Sequence, residues 1–293
     1  MRPRHIALAL LTAVIWGLAF VATELGLRSF SAPQLTALRF LVACLPVLLL
    51  PRPRIAWSWL ILIGLTLFTG QFLLLFFAFT KGMPAGVASV TQQIQAFFTV
   101  VLAALFLRDV PTLRQSAGMG IALAGLLLIS LTVGGDLTWL GLGLALAAAL
   151  SWAVGNVLVK RIGAVPMVPL MAWLSLVPPL PALAVSGLLD ANPSLVDAIA
   201  GASWVSIAAA LYLGLVSTSL AYAIWGHLLT RYPAAMVTPF ALVAPCAGMA
   251  ASALILGETF GPLRLAGMGL ILAGLAVVLL PVDWAAPARR KGK

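Results

Sequence analysis

Long apolar segments separated by short polar connectors run along the whole chain. A helix needs about 20 mostly apolar residues to cross the hydrocarbon core of a bilayer, and proline, glycine and charged residues mark the breaks between such segments. The pattern predicts ten spanning helices, at residues 6–24, 34–50, 56–80, 84–107, 114–132, 138–159, 167–188, 203–229, 234–256 and 262–281. The predicted fold class is therefore an all-α polytopic membrane protein, and its function must lie at membrane depth.

The composition supports lipid as the surrounding solvent. The chain is 63% hydrophobic and 8% charged, whereas a soluble domain is about half apolar and a quarter charged. Arg2 and Arg4 precede the first apolar segment, which is also the pattern of a secretory signal peptide. We interpret this segment as a spanning helix because it is long enough to cross the membrane, with cleavage as the alternative.

The basic residues indicate an orientation. A net charge of +10 would suggest nucleic acid in a soluble protein, but here the Lys and Arg residues occupy short connectors. With the N-terminus inside, 13 of the 17 Lys and Arg residues fall on the inner side, including a basic tail at 283–293. The positive-inside rule then predicts that both termini are cytoplasmic. The four outer residues are Arg28, Arg39, Lys81 and Arg264, with a place inside the second helix as the alternative for Arg39.

The chain contains an internal repeat. Residues 117–126 and 266–275 agree at eight of ten positions at an offset of 149, and Pro84 matches Pro233 at the same offset. Trp16 aligns with Trp152 at an offset of 136. The predicted units are 1–132 and 138–282, each with five helices, so the second must be inverted relative to the first. Inverted repeats are typical of transporters with a site near the midplane.

The repeated segments also carry pairs of small residues four positions apart. Gly120/Ala124 and Gly269/Ala273 allow close approach of helix backbones in lipid. These pairs predict either a contact between the fifth and tenth helices or a dimer surface, and the choice between monomer and homodimer stays open.

Several short motifs resemble the EamA family of the drug/metabolite transporter superfamily. They are Gly82-Met83-Pro84-Ala85-Gly86-Val87-Ala88-Ser89, Gln95-Ala96-Phe97-Phe98-Thr99, Ile15-Trp16-Gly17, Ser151-Trp152-Ala153, Ile224-Trp225-Gly226 and Leu256-Gly257-Glu258. The resemblance is strongest to the branch of O-acetylserine/cysteine exporters, with the YddG-type amino-acid exporters as relatives. It implies a basket of ten helices around a central cavity, alternating access, and a cavity lined by helices 1, 3, 4, 6, 8 and 9. The chain departs from the pattern at Arg108-Asp109, where the second half has Gly257-Glu258.

Amide side chains at membrane depth are the main candidates for substrate binding. Gln92 and Gln95 share one face of the fourth helix, whereas Gln93 is turned away by about 100° and is expected to contribute less. An amide can bind both the ammonium and the carboxylate of a zwitterion without carrying charge. Gln71 and Asn156 extend this set. Hydrogen bonds between helices are the alternative role for all of them.

Aromatic residues near mid-depth are the second group of candidates. Trp16 and Trp152 lie away from the interfacial belt where tryptophan usually anchors a helix, and their matched positions suggest two walls of one cavity. Tyr222 is a further candidate, while core packing is the expected role of most neighbouring aromatic residues, Phe72, Phe76, Phe79 and Trp225.

Prolines and scarce titratable groups suggest roles in gating and coupling. Pro239 and Pro245 interrupt the ninth helix and permit a bend used in gating, with a static kink as the alternative. Glu24 and His227 are the candidates for proton coupling, although Glu24 is also placed to pair with Arg39 and His227 to lie at the interface. This supply of buried acids and histidines is poor for a proton-driven pump.

The predicted function is secondary export of small neutral or zwitterionic metabolites, amino acids foremost, across a bacterial inner membrane, as a facilitator or exchanger. The alternative is a broad exporter of toxic organic cations. An enzyme is disfavoured because no paired acids, nucleophile elbow, phosphate-binding loop or metal motif occurs in the sequence. A channel is disfavoured because a single chain with its own inverted repeat suits alternating access better. The expected partners are a small-molecule substrate and the bilayer, with no nucleic acid, cofactor or metal.

Overall fold

The computed structural model describes residues 1–108, 111–192 and 194–279, and within them it is helical apart from turns and one isolated bridge, Gly134–Leu137. Nine helices of the described part are long and apolar enough to cross a membrane, and the apolar helix Ala32–Leu48 is shorter. We label the ten in chain order: α1 Pro3–Gly26, α2 Ala32–Leu48, α3 Trp57–Thr80, α4 Ala85–Leu107, α5 Leu113–Ser130, α6 Trp139–Ile162, α7 Met167–Leu189, α8 Trp204–Arg231, α9 Ala234–Val237 continued by Thr238–Leu256, and α10 Pro262–Leu279. The predicted all-α polytopic class is confirmed.

Helix ends follow local capping chemistry. Ser31 accepts a hydrogen bond from the backbone N–H of Gln34, and the Gln34 side chain accepts one from the N–H of Ser31. This capping box starts α2 two residues before the predicted position. The helix also ends earlier than predicted, because its α-helical part stops at Ala43 and a 3₁₀ turn containing Pro46 follows.

One short helix differs from the sequence prediction. Leu195–Gly201 lies between α7 and α8, and the Ser194 side chain caps it by accepting from the N–H of Asp197. The Ser-x-x-Asp spacing is a helix-start signal, but this connector has no apolar periodicity to indicate the helix that follows. The predicted basic tail at 283–293 and Asp109 lie outside the described residues.

The outer surface of the bundle is apolar, as a lipid environment requires. Large side chains such as Leu49, Leu254 and Leu188 are more than four-fifths exposed. A soluble monomer rarely carries such a continuous apolar surface. The chain is therefore a multi-pass membrane protein with the bilayer as its partner.

Helices α5 and α10 pack closely and antiparallel through glycines. A Cβ added at Gly118 would lie 2.7 Å from the Gly274 carbonyl oxygen, and one added at Gly125 would lie 2.5 Å from the Gly267 carbonyl oxygen. Gly118 and Gly267 occupy matched positions of the repeat, as do Gly125 and Gly274, so the two contacts are exchanged by the repeat offset of 149.

The predicted contact between the fifth and tenth helices exists, but other small residues form it, and the alternative of a dimer surface at Gly120/Ala124 and Gly269/Ala273 stays a prediction. A Cβ at Gly120 or Gly269 would meet nothing within 4 Å, so these two positions do not form the contact. The contact between α5 and α10 is formed instead by one face of each helix, with Gly118, Ala122 and Gly125 on α5 and Gly267, Ile271 and Gly274 on α10. A glycine-rich helix offers several small-residue pairs, and only the partner helix decides which of them is used.

Polar contacts close one end of the bundle across the two halves. Arg264 donates to both carboxylate oxygens of Asp136, at 2.7 and 2.8 Å. The Arg264 guanidinium lowers the pKa of Asp136, mainly through this hydrogen bonding. Glu258 accepts from the N–H of Ala85 at 2.7 Å and from that of Gly86 at 2.9 Å. Its carboxylate thus satisfies two unpaired donors at the start of α4.

We predict that Gly125→Ala destabilises the protein, whereas Gly120→Ala does not. The new methyl group of Gly125→Ala would collide with the backbone of α10, and overpacking of this kind costs about 1–3 kcal/mol. Gly120→Ala faces open space and improves helix propensity. Thermal unfolding in detergent should show a Tm lower by several degrees for Gly125→Ala only. Equal Tm values for the two variants would contradict the glycine contact.

Candidate functional site

A cavity of about 320 Å³ lies between the helices of the two halves. It is lined by residues of α1, α2, α3, α4, α6, α7, α8 and α9, and by none of α5 or α10. The six helices implied by the family resemblance all contribute. Arg39 of α2 and two methionines of α7, Met167 and Met171, add two walls that the resemblance did not imply.

All seven sequence-predicted substrate-binding residues line this one cavity. They belong to α1, α3, α4, α6 and α8, and they are Trp16, Gln71, Gln92, Gln95, Trp152, Asn156 and Tyr222. The structure therefore brings together polar and aromatic candidates that are up to 206 positions apart in the sequence.

The cavity lies beside two segments of wide helical turns. α3 is a π-helix over Gly64–Gly70 and α8 is one over Tyr212–Leu220. Such turns are common at functional sites because they displace the backbone from regular α-helical bonding. Side chains of neighbouring helices bond carbonyls in these segments: Trp16 Nε1 donates to the Ser217 carbonyl oxygen at 3.1 Å, and Ser151 Oγ donates to that of Thr66 at 2.7 Å.

The glutamine cluster coincides with a break in α4. The α-helix stops at Thr91 and resumes at Ile94, with a tighter turn at Gln92 and Gln93 between the two parts. The N–H of Gln95 accordingly bonds the carbonyl of Gln92, three residues back, at 3.1 Å. This break corrects the prediction for Gln93, which lines the cavity with the other two glutamines. A regular helix would have turned it away.

The buried amides retain unused acceptors. Gln92 Nε2 donates to the Ala145 carbonyl oxygen at 2.8 Å, so this residue also joins α4 to α6. Among the described residues, Gln92 Oε1, Gln71 Oε1 and Ser217 Oγ have no hydrogen-bond partner. Buried polar atoms are normally bonded, and the three residues that carry these atoms line the cavity.

Aromatic rings of α1, α3, α6 and α8 lie close to one another along the cavity wall. Trp16 and Trp152 each occupy the fourteenth position of a 24-residue helix. The Trp16 ring lies 5.0 Å from that of Trp225 and 5.7 Å from that of Tyr222, and the Trp152 ring lies 6.4 Å from that of Phe72. Phe72, Phe76 and Trp225 line the cavity, whereas Phe79 does not.

Arg39 also lines the cavity, although it was not among the substrate-binding candidates from the sequence. Among the described residues that line the cavity it is the single charged side chain, and it is only 4% exposed. The expected pair with Glu24 is wrong: among the described residues Arg39 bonds Thr218 Oγ1 through Nε at 3.1 Å and stacks on the Phe72 ring at 3.9 Å. The signal was present, since an arginine within an apolar span is a functional candidate by default.

The predicted coupling residues lie apart from the cavity. Neither Glu24 nor His227 lines it. His227 is exposed, and its ring lies 6.0 Å from that of His5, which in turn bonds the Tyr232 hydroxyl at 2.7 Å. This histidine therefore belongs to a cluster that joins the beginning of α1 to the end of α8.

The two prolines of α9 have different surroundings. Pro239 lies in a 3₁₀ segment, Thr238–Leu242, which interrupts the helix, while Pro245 lies in the regular part Val243–Ala251. The Pro245 carbonyl accepts from Ser89 Oγ at 3.2 Å, so it is already occupied. Ala241 and Ala244, not the prolines, line the cavity. A gating role for the prolines stays a prediction.

Comparison with known proteins decides the family. The model of the EamA-like transporter family matches residues 4–131 and 139–280. The chain belongs to this family. Membership makes it a membrane transporter and not an enzyme, as the sequence predicted. Within the described residues, no group of three or more His, Cys, Asp or Glu side chains is placed to hold a metal ion.

Relatives cover nearly the whole chain. A probable amino-acid metabolite efflux pump of Salmonella typhimurium is 40% identical over 92% of this chain and 93% of its own length. A protein of the same name from Escherichia coli K12 is 37% identical over 94% of this chain and 95% of its own length. A probable terminal-alkyne amino-acid exporter of Streptantibioticus cattleyicolor is 28% identical over 92% of this chain and 91% of its own length. A crystal structure at 19% identity shares the fold, with a TM-score of 0.65 over 95% of this chain and 97% of the other.

We predict that Gln95→Cys reacts with water-soluble thiol reagents and that Val101→Cys in the same helix does not. Gln95 lines the cavity, whereas Val101 is 43% exposed on the apolar surface, and a thiol must ionise in contact with water to react. The measurement is the labelling rate with an anionic methanethiosulfonate in a Cys44→Ser/Cys246→Ser background. Labelling of Val101→Cys at the rate of Gln95→Cys would contradict the assignment of these two faces.

Proposed function

We propose that the chain exports small neutral or zwitterionic metabolites, amino acids foremost, across a bacterial inner membrane by alternating access. The observation that carries the proposal is the cavity itself, in which the uncharged amides of Gln71, Gln92, Gln95 and Asn156 lie between aromatic walls. The amides orient the polar end of the substrate through hydrogen bonds, and Trp16, Trp152 and Tyr222 contact its side chain.

The size of the cavity favours a small substrate. Sites for drug-sized ligands usually occupy about 300–1,000 Å³, and a cavity of about 320 Å³ is at the lower end of that range. The names of the relatives from Salmonella typhimurium, Escherichia coli and Streptantibioticus cattleyicolor agree with amino acids or their metabolites as the cargo.

The mechanism follows from two inverted halves, 1–132 and 138–282, that rock about the cavity. Three observations support this division: the family model matches in two segments, the α5–α10 contacts are exchanged by the repeat offset, and π-helical segments occur at corresponding positions of α3 and α8. Because α5 and α10 do not line the cavity, their glycine contact serves as the lateral hinge while the other helices move.

The orientation in the membrane places both termini in the cytoplasm. The excess of Lys and Arg in the connectors on the side of the N-terminus supports this topology. Contacts at the two ends of the bundle agree with the predicted alternation of connectors between two sides, since His5 bonds Tyr232 at one end and Ser31 bonds Asp190 at the other.

Transport down a gradient, as a facilitator or exchanger, fits the charges of the cavity. A proton-driven pump needs a titratable acid or histidine relay at membrane depth, and within the described part of the chain no Asp, Glu or His lines the cavity. The alternative function, export of toxic organic cations, has the aromatic walls in its favour. The Arg39 cation opposes it, because like charges in a site of low dielectric repel strongly.

The test is flux in liposomes that contain the purified protein and a panel of labelled amino acids, with and without a pH gradient. We expect neutral amino acids to move faster than in empty liposomes. Flux should fall at least about tenfold in Trp152→Ala, because truncating a tryptophan at the centre of a binding site costs about 2 kcal/mol or more and about 1.4 kcal/mol corresponds to tenfold. Trp204→Ala is the matched control, since Trp204 is 78% exposed outside the cavity.

Two outcomes would change the proposal. Movement of organic cations without any amino-acid flux would replace it with the cation exporter. Flux that follows the pH gradient would replace the facilitator with a proton-coupled carrier and make Glu24 and His227 the residues to substitute next.

A further inference from the structure

We infer that Arg39 binds the carboxylate of the transported molecule and thereby restricts transport to neutral or anionic carboxylates. This inference rests on the proposed function and specifies the substrate class of the same cavity. It assigns the recognition of the acidic group to one cationic side chain, and not to the amides alone.

The first argument is the state of the Arg39 charge. A guanidinium stays protonated in proteins, and a buried cation normally has a carboxylate partner because desolvation is costly. Within the described chain, Arg39 forms no ion pair. Its hydrogen bond is the one from Nε to Thr218, so the four N–H donors of its two Nη atoms have no protein acceptor there.

The second argument is that the guanidinium is held in one orientation. The Thr218 hydroxyl donates its own proton to the Leu213 carbonyl at 2.8 Å, which directs its oxygen towards Arg39 Nε. The Phe72 ring covers one face of the guanidinium at 3.9 Å. Residues of α2, α3 and α8 thus fix the guanidinium of Arg39, and its edge that carries both Nη atoms stays free to bind a ligand. That edge matches the two oxygens of a carboxylate in bidentate geometry.

The third argument is the complementary set of acceptors. Gln71 precedes Phe72 in α3, and its Oε1 atom, like that of Gln92, has no partner among the described residues. Carbonyl-type oxygens accept hydrogen bonds from an ammonium group. The residues that line the cavity therefore carry one cation and two unpaired neutral acceptors, a combination that suits a zwitterionic amino acid.

A purely structural role is the competing explanation, since Arg39 joins α2 to α3 and α8. The two roles differ in their effect on selectivity. A structural arginine affects all substrates equally, whereas a carboxylate-binding arginine affects only substrates that carry a carboxylate.

The experiment compares a neutral amino acid with its carboxamide, which keeps the ammonium and the side chain but lacks the carboxylate. Uptake by counterflow is measured in liposomes with the wild-type protein and with Arg39→Gln, Arg39→Lys and Thr218→Val. Arg264→Gln removes another buried arginine, one that bonds Asp136 outside the cavity, and serves as the control for loss of a membrane cation.

We expect the wild-type protein to prefer the acid to the amide by at least about tenfold, because the amide cannot form the charged hydrogen bonds that the carboxylate forms with a guanidinium. Arg39→Gln should abolish this preference through a higher KM for the acid, while transport of the amide is kept or increased. Arg39→Lys should keep part of the preference, since it retains the positive charge but cannot bind a carboxylate in bidentate geometry. Thr218→Val should also keep part of the preference, since the guanidinium remains but loses the hydrogen bond from Nε that orients it. Arg264→Gln should retain all of it.

Two results would overturn the inference while amino-acid transport stands. One is an acid-over-amide preference that persists in Arg39→Gln, and the other is an equal loss of acid and amide transport in both Arg39 variants. The Lys variant decides if Arg39→Gln fails to give a monodisperse protein. Absence of amino-acid flux in the wild-type protein would instead overturn the proposed function, and the inference with it.

Discussion

Backbone hydrogen bonding in hydrocarbon is the constraint on which the structure depends. Water is absent from the bilayer core, so each N–H and C=O group must find a partner within its own helix or from a neighbour. Departures from regular α-helix are therefore costly, and several of them lie beside the cavity. The π-helical segments of α3 and α8 and the tight turn of α4 adjoin the cavity, and side chains such as Trp16 and Ser151 bond the carbonyls of the π-helical segments.

Close helix packing through glycines and the lining of the cavity are divided between different helices. α5 and α10 approach each other through Gly118, Gly125, Gly267 and Gly274, where nothing larger than hydrogen fits, and they leave the cavity to the other eight helices. Dispersion forces drive such close contacts in lipid because the hydrophobic effect does not act between helices there. The close glycine contact and the residues that line the cavity therefore lie in different parts of the bundle.

Only 8% of the residues are charged, so the position of each charged side chain within the bundle is informative. Arg264 at the start of α10 has its carboxylate partner in Asp136, whereas Arg39 in the middle of the bundle has a hydroxyl and an aromatic ring. Among the residues that line the cavity, the charge is thus a single positive one. A site of this kind favours a ligand with an oxyanion and disfavours a cation, whatever the aromatic walls contribute.

The class of fold, the number of helices and seven of the residues that line the cavity could be inferred from the amino-acid sequence alone. Apolar segments about 20 residues long and polar residues at mid-depth are local properties, so Trp16 and Gln92 are recognisable as candidates from the pattern around them. The rotation of a helix and the choice of its partners are not local. Gln93 enters the cavity because α4 breaks beside it. Arg39 and Glu24 lie in neighbouring helices and so suggested a pair, but the packing of α2 against α3 and α8 places the guanidinium on an aromatic ring and a hydroxyl. The partner of a side chain in a helix bundle depends on how each helix is rotated about its axis, and that rotation is set by the neighbouring helices and not by the helix's own sequence.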